Sequence, residues 1–133
     1  LTMTTTTTRR LVVTVSGRAR ELHPNWRGHW APKAREVKAA RFEAWRETIV
    51  ALQAGRGAPW SKAAVTSVTI KRTFYVPDNR ARDVDGLEHS TKAHADGIAD
   101  ALGVNDRLFR WLPSEVIVER GRREVQFEIE VQG

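Results

Sequence analysis

The stretch AAVTSVTIKRTFYV, residues 63–76, decides the fold, together with the Pro77-Asp78-Asn79 that ends it. It is rich in β-branched and aromatic residues with partial alternation, and it stops at a strong turn signal, so it reads as a long strand after which the chain reverses. Upstream, residues 32–54 lack internal Gly or Pro, begin with Pro32 and are rich in helix formers. They predict a helix. In it Phe42, Trp45, Ile49 and Leu52 recur at spacings of three and four as an apolar stripe, with Trp45 in the core and with Lys33, Arg35, Lys38, Arg41 and Arg46 on the remaining faces. Before that helix, Leu11 to Val15 is a short β-branched strand closed by Ser16-Gly17.

Downstream of the long strand, Val84, Leu87, Thr91, His94, Ile98 and Ala101 fall on one helical face and Gly103 supplies a stop, predicting a second helix over residues 84–102. Residues 115–119 (EVIVE) and 124–131 (EVQFEIEV) alternate apolar with acidic residues and read as two strands, with Arg120-Gly121-Arg122 as a hairpin turn. The order β-α-β-α-β-β predicts an α+β, two-layer fold: a four-stranded mixed sheet with two helices packed on it. Residues 1–9, dominated by Thr4 to Thr8, are expected to form a flexible tail before a single domain over 10–133.

Composition narrows the function. The 133 residues are 41% apolar and 29% charged, with 22 Lys and Arg against 16 Asp and Glu, for a formal net charge of +6. A basic surface attracts a phosphate backbone without any particular motif, which makes nucleic acid the first partner to consider beside a merely solvated surface. There is no cysteine. Disulfide scaffolds, Cys-zinc sites and thiol nucleophiles are excluded. No run of apolar residues is long enough to span a bilayer and no signal-peptide core occurs, so a cytoplasmic protein without a membrane partner is expected.

The residues with chemistry to offer cluster around the second helix. Asp83 and Asp85 flank Val84 where the long strand's exit loop meets the helix, and two carboxylates there suit a hard, oxygen-preferring cation. The competing structural reading is that Asp83 caps the helix, Asp85 complements its dipole and Asp106 sits in a polar turn. An EF-hand is excluded, because counting from Asp83 puts Leu87 at the fifth position and His94 at the twelfth. Asp106 lies beyond the far end of the helix and reaches the pair only if the chain doubles back. Lys92 follows Asp85 by seven residues, two helical turns, so both face one groove of a continuous helix. Otherwise it is an exposed lysine paired with Glu88 or Asp96. The four histidines form no HExxH and no GxSxG occurs. His94, on the apolar stripe, is expected to be a satisfied core histidine.

The longer pattern Arg80-Ala81-Arg82-Asp83-Val84-Asp85-Gly86-Leu87, then Thr91-Lys92, Asp96-Gly97-Ile98 and Gly103-Val104-Asn105-Asp106, resembles the RusA family of Holliday junction resolvases, specifically its phage-type members. Upstream, Leu22 to Trp30 followed by Lys33 and Arg35 is similar to that family's N-terminal loop and basic helix start. The resemblance runs from Leu11 nearly to the end of the chain. It implies a magnesium-dependent endodeoxyribonuclease, with Mn²⁺ a possible substitute, that cuts four-way junctions and other branched DNA in recombination, repair or phage DNA packaging. By the same resemblance Asp83, Asp85 and Asp106 are the metal-binding carboxylates, Lys92 is catalytic, and Arg82 lies near the scissile phosphate.

A homodimer would place one site on each of two symmetry-related strands. Arg27, Lys33, Arg35 and Arg80 would hold phosphates. Trp30, in a loop with Trp26 beside cations, would stack unpaired bases or else cover the core edge. Trp111, after Arg107 and Arg110 in an expected mobile loop, would touch DNA or a partner subunit. Gly86 stands where the family usually has Asn, and Asn105 where it often has the first of two acids. These departures motivate a second reading, a branched-DNA-binding protein without catalysis. A DxD glycosyltransferase is discounted, because the chain is too short for a nucleotide-sugar domain.

Overall fold

The computed structural model describes residues 8–17, 28, 30–54 and 64–133. The expectations that fall on Trp26 and Arg27, and on most of the expected tail, lie outside these residues.

Among the described residues the chain forms an α+β fold of two layers: a mixed five-stranded sheet with helices on one face. The elements are β1 (Thr8–Ser16), α1 (Trp30–Ala54), β2 (Ser67–Val76), α2 (Val84–His89), α3 (Lys92–Leu102), β3 (Phe109–Trp111), β4 (Glu115–Val118) and β5 (Glu124–Gln132). A 3₁₀ turn at Asp106–Leu108 precedes β3. β1 begins earlier than Leu11: Thr8 and Arg9, expected in the tail, pair with Gln132 and Val131.

The alternation in β1 and β5 builds the core. Leu11, Val13 and Val15 of β1 are buried while Arg10, Val12 and Thr14 face solvent, and Val125, Phe127, Ile129 and Val131 repeat the pattern in β5. A strand's side chains point to opposite faces in turn, so each buries a single face. β2 is the central strand. It pairs antiparallel with β5 on one edge and parallel with β3 and β4 on the other, which is why it is buried along most of its length.

The fourth strand position is shared by two pieces. β3 pairs with Val68 to Ile70 and β4 with Thr73 to Val76 along the same edge of β2. Pro113 lies between them and has no amide hydrogen to give the ladder, so pairing lapses after Leu112 N donates to Ile70 O at 2.9 Å and resumes at Glu115. The expected four strands thus become five.

The expected hairpin between the last two strands is corrected. The turn exists, with Gly121 at φ 79° and Arg122 N donating to Glu119 O at 3.0 Å. It arches over the end of β2 instead of joining neighbours, because β4 and β5 lie on opposite edges of β2. The alternating pattern says which faces are buried; it does not say which strand lies alongside.

The second helix is two helices. Ser90 Oγ donates to Leu87 O at 2.6 Å and Thr91 Oγ1 to Glu88 O at 2.7 Å, both residues being buried. Thr91 N also donates to Glu88 O, a tighter i to i−3 bond that breaks the α-helical ladder. Gly103 ends α3 in the left-handed region at φ 70°, as the sequence predicts.

α1 turns a different face to the core than its large apolar residues suggest. Its buried residues are Ala40, Ala44 and Thr48, whereas Phe42 is 58% and Trp45 38% exposed, the two rings lying 5.9 Å apart. Leu52 packs against the core edge. The small face exists because α1 and α3 approach closely: a Cβ at Gly97 would collide with the backbone carbonyl of Arg41 and lie 3.0 Å from Trp45 N. Interaxial distance is set by side-chain size at the crossing, so alanine and glycine occupy it. Arg41 clasps the pair, its Nε and Nη2 donating to the two oxygens of Asp100 at 2.7 and 3.1 Å.

Candidate functional site

The chain does double back beside α3. After the left-handed Gly103, Asn105 caps the 3₁₀ turn by accepting Arg107 N at its side-chain oxygen. Asp106 then lines a cavity of about 180 Å³ with Arg72, Glu88, Lys92, Asp96 and Trp111. α3 has 11 residues, about 16 Å of rise. The return therefore brings a residue beyond its C-terminal end to the wall that Lys92, at its N-terminal end, also lines.

Asp83 and Asp85 stand at the opening of α2, outside the residues that line this cavity. Asp83 occupies the N-cap position without a side-chain cap bond, and its backbone carbonyl accepts Leu87 N at 3.0 Å. Among the described residues no hydrogen bond or ion pair engages the side chains of Asp83, Asp85, Asp106 or Lys92. Side-chain capping and pairing do not engage them, while Asp85 lies in the first turn of α2, where a carboxylate complements the helix dipole, and Asp106 lies in the 3₁₀ turn. The break at Ser90-Thr91 separates Asp85 and Lys92 onto different helices, so the two-turn spacing of a continuous helix does not relate them. Among the described residues no three His, Asp or Glu side chains gather closely enough to hold a metal ion by themselves.

The cavity wall includes residues that the sequence leaves unremarked. Arg72, on β2, is buried and bonded through both terminal nitrogens, while its Nε has no partner among the described residues. Its Nη2 donates to Glu88 Oε2 at 2.6 Å, and its Nη1 to Thr91 Oγ1 at 3.2 Å and Glu88 O at 3.3 Å. Its guanidinium lies 4.0 Å from the centre of the Trp111 ring. Burial pulls its pKa below the usual arginine value while Glu88 opposes that pull. Ser114 Oγ adds a bond to Glu88 Oε2 at 2.9 Å. The sequence signal was present: an arginine in the alternating register of a central strand, where an apolar residue is the norm, needs a partner.

Arg80 and Arg82 belong to a second cavity, of about 250 Å³, at the end of β2 beside Tyr75, Gly17 and Arg123. Arg82 is mostly buried and braces its own loop, donating to Asp78 O at 2.8 Å, Asp78 Oδ1 at 2.8 Å and Arg80 O at 2.9 Å. Arg80 also reaches Asp78 Oδ1, at 3.1 Å. These donors, led by the Arg80 amide, hold the Asp78 carboxyl at about 2. Arg123 was not singled out by the sequence; among the described residues its guanidinium has no partner, and its side chain crosses where a Cβ on Gly17 would sit.

Trp30, expected in a loop, instead opens α1, and at 74% exposure it does not cover the core edge; Lys33 is half-buried and Arg35 exposed in the same turns. His94 is buried as expected but not satisfied. Among the described residues its Nδ1 has no partner, its ring tilts against Phe127 at 6.2 Å, and burial lowers its pKa.

No family model matches the chain. It is 35% identical over 94 residues to an uncharacterized protein of Xylella fastidiosa (strain Temecula1), covering 68% of this chain and 57% of that protein. The chain thus spans a little over half the length of the curated relative it matches. Among solved structures it is similar to thiamine-monophosphate kinase from Stenotrophomonas maltophilia K279a (12% identity, TM-score 0.35, 95% of this chain and 31% of that one). It is also similar to a cyanuric acid hydrolase (14% identity, TM-score 0.41, 99% of this chain and 40% of that one). Overlaps this loose bear on neither fold nor function.

Proposed function

We propose that this protein is a magnesium-dependent, structure-selective endodeoxyribonuclease that cuts four-way junctions and other branched DNA. The observation that carries the proposal is the return of the chain after α3, which sets Asp106 and Lys92 on one cavity while leaving both, with Asp83 and Asp85, without side-chain hydrogen bonds or ion pairs among the described residues. The RusA-like pattern from Arg80 to Asp106 supports the same reading.

The donor set suits the cation. Mg²⁺ prefers oxygen ligands and is commonly held by one or two carboxylates with water and substrate phosphate completing its shell, so no closed cage of three acids is required. Asp83, Asp85 and Asp106 are the residues that would hold it. A bound cation supplies charge for the phosphoryl oxygens and lowers the pKa of a water. Lys92 places an ammonium on the cavity wall to neutralise the phosphodiester. Arg72, tied to Glu88 and Thr91, keeps that wall rigid. The net charge of +6 and the exposed cations of α1 hold the DNA backbone without reading sequence. A homodimer acting in the cytoplasm fits a two-fold substrate. Among the described residues no helix is long and apolar enough to cross a membrane.

Cleavage of end-labelled four-way junction against matched linear duplex, with Mg²⁺, Mn²⁺ or EDTA, tests this directly. Metal-dependent, symmetric nicking of the junction is expected. Tight junction binding without cutting in either metal would overturn catalysis and favour a branched-DNA-binding protein, the reading that Gly86 and Asn105 motivate.

A further inference from the structure

We propose that Trp111 is a fixed stacking platform for an unpaired nucleobase, with Lys92 on the same cavity holding the adjoining phosphate. The proposal rests on the DNA-directed reading above and adds a subsite to it.

The platform is built from below. Residue 111 was expected in a mobile loop, but it ends β3, whose backbone is paired to β2 with Trp111 opposite Ile70, and Leu112 N donates to Ile70 O at 2.9 Å. Beneath the indole lies the Arg72 guanidinium, 4.0 Å from the ring centre. That guanidinium cannot swing away, because Glu88 and Thr91 hold both its terminal nitrogens and its side chain is only 10% exposed. Phe109 braces the ring from the side, at 5.9 Å and 80°. Yet Trp111 remains 38% exposed.

An aromatic ring backed by a buried cation, edged by Phe109 and still partly exposed loses little entropy when a second flat ring stacks on it. Its position selects the partner. The ring borders the cavity that Lys92 and Asp106 line, and the exposed Lys92 ammonium has no hydrogen-bond or ion-pair partner among the described residues. Aromatic surface beside an unpaired cation matches single-stranded nucleic acid, in which every base offers a π-face and every linkage a negative charge. Paired bases in a duplex keep their faces stacked on one another. A branch point supplies unpaired ones.

The test is fluorescence anisotropy with a short labelled oligodeoxythymidylate in EDTA, so that binding is read without cutting, on the full chain and its Trp111→Phe and Trp111→Leu variants. Far-UV circular dichroism checks that each variant is folded. Trp111→Phe should keep most of the affinity, and Trp111→Leu should weaken it about tenfold or more. As a second readout, an oligonucleotide carrying 5-iododeoxyuridine should photocrosslink to the peptide containing Trp111. Unchanged affinity in Trp111→Leu with crosslinks mapping elsewhere overturns the platform, even in a protein that cuts junctions. Trp111-dependent binding in a protein that cuts no junction sustains the platform and removes the nuclease reading.

Discussion

Arg72 and Glu88 meet at 2.6 Å across the seam between the central strand and α2, and this one ion pair fixes most of what surrounds the candidate site. Glu88 also accepts Ser114 Oγ, so the connection between β3 and β4 is tied to the same carboxylate. A buried, hydrogen-bonded pair contributes modestly when intact but leaves a stranded charge when one member is removed.

Arg72→Met should therefore destabilise the fold by about 3 kcal/mol, and Glu88→Gln by less, because the amide still accepts from Arg72 and Ser114. Urea midpoints of the two variants check the order. Equal, small losses would show that the pair is replaceable.

Gly97→Ala should cost about 2 kcal/mol by forcing α1 off α3. The Cβ meets the backbone carbonyl of Arg41, which cannot rotate aside as a flexible side chain would. A lowered melting temperature with unchanged helical circular dichroism at low temperature is the expected signature.

Stability should fall on mild acidification through His94. Burial lowers its folded-state pKa below the usual 6.5, so the unfolded chain binds the proton more readily. Glu43 partly opposes the shift. The His94 contribution is complete above about pH 6.5 and is lost as the pH falls from there through the lowered folded-state value. Urea midpoints measured from pH 7.5 down to 5 should decline in the wild type, and His94→Gln should flatten the slope.

For the carboxylates, Asp83→Asn and Asp85→Asn should each abolish junction cutting, by at least about a hundredfold if the group holds the cation, while leaving junction binding in EDTA intact. Asp106→Asn should do the same. None engages a structural partner among the described residues, so all three should melt close to the wild type. Retained cutting by either α2 variant would remove the assignment. Isothermal titration with Mg²⁺ offers an independent check, since a cation site should weaken with Asp83→Asn.

How much of this was legible in the chain beforehand depended on the kind of information each feature needs. Strand β2, the buried faces of β1 and β5, the stop at Gly103 and the acidic opening of α2 follow from local chemistry: side-chain period, turn propensity and a glycine that tolerates positive φ. The α+β layering follows from their order. α1 misled because size was taken for burial; Phe42 and Trp45 are larger than Ala40 and Ala44, but only the small face lets α3 come within reach.

What only the tertiary structure decided is adjacency. Whether Asp106 and Lys92 share a cavity, whether β4 neighbours β5 or crosses to the far edge of β2, and whether the Trp111 ring rests on Arg72 are relations between residues distant in sequence. No local propensity encodes them. They were settled by which free edge of β2 remained to be paired, and by the need of one buried arginine for an anion.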